Sequence, residues 1–337
     1  AIEPRPPGPP VPAILLVKTS SMGDVVHNLP VVEDILAARP DAWIDWVVEE
    51  AFAAIPRLHP GVKRVIPVAT RRWRKRLFGE DTRRAFGNFR QALRQDRYDA
   101  VIDSQGLLKS AILGRMAHGR RHGLDWKSSR EPLRLFYDCT YSIPWSLHAV
   151  ERNRLLAAQA LDYPLPERLR YGIGSRTEDV ATLAMQLPSG SLERPFAVLL
   201  HATSAESKEW PEQRWTQLGA QLADQGIASM LPFGRETERL RSTRLAALIP
   251  GAVVPPKLGL ELLAALLSRA QIAVGVDTGL THLAVALGRP SIGLYCATDP
   301  AATGLYGSPV AVNLGRVGHA PSVGEVVAEV ERLRGVA

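Results

Sequence analysis

ILLVKTSSMGDVVHNLP, Ile14 to Pro30, decides how the rest of the chain is read. Ile14 to Val17 form a short apolar run of the kind that makes a buried strand. Thr19 to Gly23 are small residues suited to a tight turn, and a helix is expected from Asp24. A strand ending in such a turn aims the first N–H groups of the next helix at a crevice beyond the strand's carboxyl end. Asp24 stands at that crevice. Capping the helix is its most economical role. The alternative is to deprotonate a bound hydroxyl, with Ser20, Ser21 and Gly23 before it and His27 one turn after it.

Working outward, the alternation continues. Ala42 to Glu50, Val62 to Val68 and Asp99 to Ser104 read as further strands with helical patterns between them. Phe86, Phe89 and Leu93 mark a core-facing helical stripe. A helix over Leu147 to Leu161 runs into Asp162-Tyr163-Pro164-Leu165-Pro166, which sets a domain boundary at 163/164. The second half repeats the pattern with strands over Pro195–His201, Ala228–Phe233, Ala252–Pro256, Gln271–Val276 and Ser291–Cys296. Ser322 and Glu325 have capping-box spacing before a helix with Val323, Val326, Val327 and Val330 on one face. Strands alternating with helices predict an α/β chain of two doubly wound parallel domains, 13–163 and 164–321. Ligand is expected in a cleft between them. A C-terminal helix over 322–337 is expected to pack back towards the first domain.

Composition narrows the function. At 337 residues the chain is long enough for two domains of ordinary size. Cys139 and Cys296 are too few for a disulfide framework or a Cys-rich zinc site, and suit a reducing cytoplasm. No apolar run reaches the length of a membrane span. Residues 1–12 hold six prolines, five of them before residue 11, and no apolar h-region, so a disordered arm is expected there rather than a signal peptide. The formal charge of +7 is uneven: residues 1–168 carry 26 Lys+Arg against 19 Asp+Glu, and residues 169–337 carry 15 against 15. The excess points to an anionic partner of the first half.

Neither G-x-G-x-x-G nor G-x-x-x-x-G-K-[ST] occurs, which removes support for a dinucleotide dehydrogenase or a P-loop ATPase. No two aspartates are two apart, and no H-E-x-x-H is present, so no catalytic metal is expected. His118 and His122, four apart, read as surface residues at a basic helix end. GVDTGLTHLAVALGRP, Gly275 to Pro290, is a second strand–turn–helix unit. Its Thr278 and Gly279 N–H groups suit a diphosphate, while capping by Asp277 or Thr278 and packing of His282 is the plainer role. Lys208, in HATSAESKEWP, is either solvated or a compact charge for a phosphate. Glu238 favours a helix start and can also accept from ribose hydroxyls. RRWRKR, Arg71 to Arg76, is a solvated face, a nucleic-acid patch or a contact for phosphorylated lipid.

Taken in order, KTSSMGDVVHNLP, DWVVEEAF, VIPVATRRWRKR, YDAVIDSQGLLKSA, HGLDWKSSREPL, LHATSAESKEWPEQRW and VDTGLTHLAVAL resemble the lipopolysaccharide heptosyltransferase I family, in glycosyltransferase family 9. One departure is Cys296-Ala297, where the family pattern has Gly-Pro before Thr298-Asp299-Pro300. The resemblance implies a GT-B fold, two Rossmann-like domains facing across a central cleft. It also implies inverting, metal-independent transfer of L-glycero-D-manno-heptose from ADP-heptose, a substrate and not a cofactor, to Kdo2-lipid A. Asp24 would then be the general base and Lys208 would contact the donor phosphates. Glu238 would take the ribose, and Thr203, Asp277, Thr278, Gly279 and His282 the diphosphate and heptose. Ser20, Ser21, Gly23, Gln105, Arg71, Arg72, Lys75 and Arg130 would serve the acceptor. A monomer is expected, cytoplasmic and peripheral on the anionic inner face of the bacterial inner membrane, with no nucleic acid bound. The rival functions are addition of a later heptose, nucleotide-sugar epimerisation, and non-catalytic nucleic-acid binding through Arg71 to Arg76.

Overall fold

The computed structural model describes residues 12–75, 79–203 and 205–335. Of the arm expected at 1–12 only Pro12 is among them, and Arg76 of the basic cluster lies outside them. The chain divides into two compact units, Ala1–Gly172 and Ile173–Ala337.

In the first unit six parallel strands make one sheet. They are β1 (Ala13–Val17), β2 (Trp43–Glu49), β3 (Val62–Val68), β4 (Arg97–Asp103), β5 (His118–Leu124) and β6 (Cys139–Tyr141), in the spatial order 3-2-1-4-5-6. This is the Rossmann order, with its switch point between β1 and β4. Every residue of β1 is buried, as a central strand covered by helices on both faces requires. Leu15, Val17, Ile66, Val68, Phe89 and Leu93 form one core cluster. Phe86, expected on the same stripe, is 42% exposed and meets the core only edge-on, through Trp73 at 5.6 Å.

The sequence missed two strands here. HGRRHGL is a strand, not a helix end, so His118 and His122 are not one helical turn apart. His122 is buried and stacks on Tyr141 of β6. Both strands lie towards one edge of the sheet; β5 carries Arg120 and Arg121 in place of a continuous apolar run, and β6 is only three residues long. The Asp162 to Pro166 stretch also belongs to the first unit. Arg154, buried with Asp34 at 2.8 Å, donates to the carbonyl of Pro166, and Tyr163 is buried.

The second unit has β7 (Phe196–Leu200), β8 (Ala228–Met230), β9 (Ile272–Val276), β10 (Ser291–Tyr295) and β11 (Ala311–Gly315) in the order β11-β10-β9-β7-β8, all parallel. The strand expected over Ala252–Pro256 is reduced to one parallel bridge, Val253 to Met230. Pro255 and Pro256 lack the N–H groups that a longer ladder needs. β11 was not foreseen. The C-terminal helix, Val323–Arg334, starts at the Ser322–Glu325 capping box, and Val326, Val330 and Leu333 enter the core of the second unit.

A polar cluster fixes the first sheet from inside. Arg64 Nε donates to Asp45 Oδ2 at 3.0 Å, and the Tyr98 hydroxyl donates to the same oxygen at 2.6 Å. Arg64 also reaches Asp96, and Asp45 is fully buried. Removing one partner of such a pair strands the other charge without solvent. Arg64→Met is therefore expected to cost about 3–5 kcal/mol in urea unfolding of the first unit, and Tyr98→Phe about 1–2 kcal/mol. A loss under about 1 kcal/mol for Arg64→Met would remove this cluster as a determinant.

At the carboxyl end of β7, His201 is fully buried with its Nε2 2.8 Å from Ser242 Oγ. Burial, aided by the Arg241 charge, pushes its pKa down to about 4. The unfolded chain then binds the extra proton between pH 6.5 and 4, so stability is complete above that window and is lost as pH falls through it. The shift corresponds to about 3 kcal/mol. Denaturant titrations of the second unit from pH 7 to 4 should show wild type losing about that much more than His201→Gln. Parallel pH curves for the two would contradict the assignment.

Candidate active site

Both units place their unusual polar residues at the carboxyl ends of the strands that flank a switch point. In the first unit these are β1 and β4. After β1, a five-residue helix runs from Met22 to Val26 with Ser21 as its N-cap, two residues earlier than the start expected at Asp24. Asp24 is therefore not the cap residue but the third helical position. Its Oδ2 accepts from the Ser21 N–H at 2.7 Å and the Ser21 hydroxyl at 2.9 Å. Among the described residues neither bond falls on Oδ1. The carboxylate is half-buried, so it is held and still open to a ligand.

Across the switch point, Gln105 follows β4 and bends back. Its Oε1 accepts from the N–H groups of Thr19, at 3.0 Å, and Ser20, at 3.1 Å. Gly106 allows the bend: its φ of 65° lies in the left-handed region that residues with a side chain avoid. Asp103, buried beneath, anchors the bend by accepting from Gln105 N at 2.9 Å and from the Tyr137 hydroxyl at 2.8 Å. Lys109 Nζ donates to Ser20 Oγ at 2.8 Å. Lys18 is buried directly behind the turn and donates to the Ser104 carbonyl at 2.7 Å. Burial pushes its pKa down, against the pull of the Asp24 and Asp103 carboxylates.

The basic cluster reaches the same end of the sheet. Thr19 O accepts from Glu49 N at 3.1 Å, and the Glu49 carboxylate accepts from Thr70 Oγ1 at 2.6 Å and Arg71 N at 3.0 Å. That pins the start of the short helix Thr70–Trp73 beside the turn. Arg71, Arg72 and Lys75 are exposed there, Arg71 over the Phe52 ring and Arg72 paired with Glu50 at 3.0 Å. Arg130 is exposed on the loop whose Ser129 hydroxyl donates to Gly106 O at 3.4 Å. Thus Gln105 is bonded to the turn that carries Ser20, Ser21, Gly23 and Asp24, and the segments that bear Arg71 and Arg130 are tied to the same sheet end through Glu49 and Gly106.

In the second unit the switch point lies between β7 and β9. Lys208, at the end of the 3-10 turn Glu206–Lys208, places Nζ 2.7 Å from Asp277 Oδ2. Thr203 Oγ1 donates to Asp277 O at 3.1 Å, and His282 Nε2 lies 4.0 Å from Asp277 Oδ1. Thr278 is the N-cap of the helix Gly279–Ala286 and makes no side-chain cap bond. Gly275 permits this helix to seat closely, because a β-carbon there would collide with Thr281 Oγ1 and Leu200. A lysine, a carboxylate and a helix N-terminus gathered at one strand end can hold and balance an anionic diphosphate.

Glu238 sits beside this group at the third position of the helix Glu236–Leu248. Burial raises its carboxyl pKa, but the N–H groups of Gly234 and Arg235 and the Arg235 guanidinium outweigh that and hold it below the ordinary carboxylate range. It is therefore a ready acceptor for hydroxyls. Two residues were missed. Thr298 Oγ1 donates to Asp277 Oδ2 at 2.9 Å, so the loop with the unusual Cys296-Ala297 does reach the centre. Arg235 joins Glu238 to the Thr203 carbonyl. Thr298 was in view as a loop residue, but nothing in its spacing points at Asp277.

Comparison with known proteins fits this geometry. Residues 86–330 match the model of glycosyltransferase family 9 (heptosyltransferase). The chain is 48% identical to lipopolysaccharide heptosyltransferase 1 of Escherichia coli K12, over 87% of this chain and 91% of that protein. It is 47% identical to the protein of the same name from Pseudomonas aeruginosa, over 87% and 81%. The structure of the E. coli heptosyltransferase WaaC with ADP superposes with a TM-score of 0.86 at 44% identity, covering 95% of this chain and 99% of that one. The two Rossmann-like units are those of a GT-B glycosyltransferase. Fold, family model and relatives agree: the chain belongs to glycosyltransferase family 9, the heptosyltransferases.

Proposed function

We propose that the chain transfers L-glycero-D-manno-heptose from ADP-heptose to the Kdo of Kdo2-lipid A, with inversion and without a metal. The observation that carries this reading is the cluster of Lys208, Asp277 and Thr298 beside the N-terminus of the helix Gly279–Ala286. A solved relative, WaaC, was crystallised with ADP-2-deoxy-2-fluoro heptose, which supports the donor class. Relatives named heptosyltransferase 1 match at 47–48% identity, which favours transfer of the first heptose over a later one.

Each residue then has a task. Asp24, held through Oδ2, takes the acceptor proton on Oδ1 while the acceptor oxygen attacks the anomeric carbon opposite the ADP. Lys208 and the Thr278–Gly279 N–H groups take up the negative charge of the departing diphosphate, as a preorganised field does without reorganisation cost. Glu238 accepts from the ribose hydroxyls, and Thr203 and His282 keep Asp277 in place. Arg71, Arg72, Lys75 and Arg130 bind carboxylates and phosphates of the acceptor, which accounts for the positive excess in residues 1–168. We place the enzyme at the cytoplasmic face of the inner membrane, as a peripheral monomer, because a lipid-anchored acceptor and a soluble nucleotide sugar meet there. Among the described residues no helix is long and apolar enough to cross a membrane.

Asp24→Asn keeps an oxygen to accept from Ser21 but cannot take a proton, so the helix start survives while the base is lost. Transfer is expected to fall by about 10²- to 10⁴-fold, with ADP affinity by calorimetry unchanged. Near-normal turnover by a folded Asp24→Asn would sink the base assignment. Lys208→Ala should weaken ADP binding by about 10- to 100-fold, the worth of a charge-assisted contact. Unaltered ADP affinity would remove Lys208 from the donor site.

A further inference from the structure

Of the ten large hydrophobic side chains exposed among the described residues, five fall within residues 108–145. Single exposed apolar residues are ordinary, but a contiguous group with a charged rim marks a surface that is covered in use. Trp126 is 67% exposed and Leu135 89%; Leu108, Ile112 and Trp145 are each nearly half exposed. Hydrogen bonds and ring contacts tie the segments that carry this strip to one another. Trp145 Nε1 donates to the Lys127 carbonyl at 2.9 Å, next to Trp126, and the Arg130 guanidinium lies 5.8 Å from the Trp145 ring. Neighbouring Glu131 accepts from Leu108 N, Ile112 follows one helical turn on, and Arg115 Nη1 donates to Leu135 O at 3.4 Å.

The charge of this segment selects its occupant. Residues 108–145 carry seven basic side chains, Lys109, Arg115, Arg120, Arg121, Lys127, Arg130 and Arg134, against three acidic ones, Asp125, Glu131 and Asp138. Lys127 Nζ sits 5.4 Å from the Trp126 ring, so cation and aromatic are presented together. Tryptophan prefers the level of the lipid headgroups, and Lys and Arg near an anionic leaflet add attraction. We propose that this strip docks the enzyme on an anionic bilayer surface, with Trp126 and Leu135 entering the headgroup layer. The strip abuts the acceptor turn, because Lys109 within it donates to Ser20 Oγ. Docking there presents the Ser20–Asp24 turn to sugars that project from the membrane. This rests on the lipid-anchored acceptor proposed above.

The test is co-sedimentation with vesicles of equal phosphatidylglycerol and phosphatidylcholine, and with phosphatidylcholine alone. Wild type should bind the anionic vesicles selectively and lose binding as salt rises, since exposed charges are screened. The double variant Trp126→Ser/Leu135→Ser should bind them at least about 10-fold more weakly, the loss of two buried apolar side chains. Its transfer to a deacylated, water-soluble acceptor should match wild type, because neither residue belongs to the donor or acceptor groups proposed above. Wild type that ignores anionic vesicles, as a strip built for a protein partner would, overturns the proposal. So does a double variant that binds as wild type does. Failure of wild type to glycosylate the soluble acceptor would strike at the proposed reaction, while the vesicle arm still judges the surface.

Discussion

In each unit the constraint that organises everything else is the switch point of a parallel sheet. Two adjacent strands send their connections to opposite faces, so their carboxyl ends diverge and leave a crevice. Each crevice is closed by one polar side chain that reaches across from the neighbouring strand's loop. In the first unit Gln105 accepts from the N–H groups of Thr19 and Ser20, and in the second Lys208 pairs with Asp277. These contacts set the turn before Asp24 and the cluster around the helix Gly279–Ala286. The two units thus solve one packing problem with different groups: a carboxylate held by a Ser21 N–H and hydroxyl, and a lysine–carboxylate pair beside a helix N-terminus.

The same contacts are compatible with the proton-accepting role proposed for Asp24 beside its structural one. Its helix is only five residues long and depends on the bonds from Ser21. Because both bonds fall on Oδ2, orientation and proton acceptance can be divided between the two oxygens. Around it the chain buries unusual polar groups, among them Lys18 behind the turn and Asp103 beneath Gln105. Such groups are costly unless fully bonded. Lys18 meets the Ser104 carbonyl, and Asp103 meets Tyr137 and the Gln105 and Gly106 N–H groups. The turn is a rigid platform for that reason.

Much of this was legible in the chain itself. The all-buried central strands β1, β7, β9 and β10 announce themselves as apolar runs, and the strand–turn–helix units at Asp24 and Asp277 follow from local composition. What escaped was non-local or at an edge. β5 is polar and β6 has only three residues, so periodicity has nothing to register. Tandem prolines broke the strand expected at Ala252–Pro256 down to one bridge. Ser21 and Asp24 have capping-box spacing, with Asp in place of the usual Glu or Gln, and the helix start was placed two residues late. Lys208 and Asp277 are 69 residues apart in sequence, and Thr298 is 21 from Asp277. Only the strand order β10-β9-β7 brings them together.

The most direct measurement is mass spectrometry of Kdo2-lipid A incubated with ADP-heptose and the purified protein in the presence of a chelator. The expected result is one heptose added per acceptor with an equal amount of ADP released. An unchanged acceptor, dependence on an added divalent ion, or addition only to acceptors that already carry a heptose would contradict it.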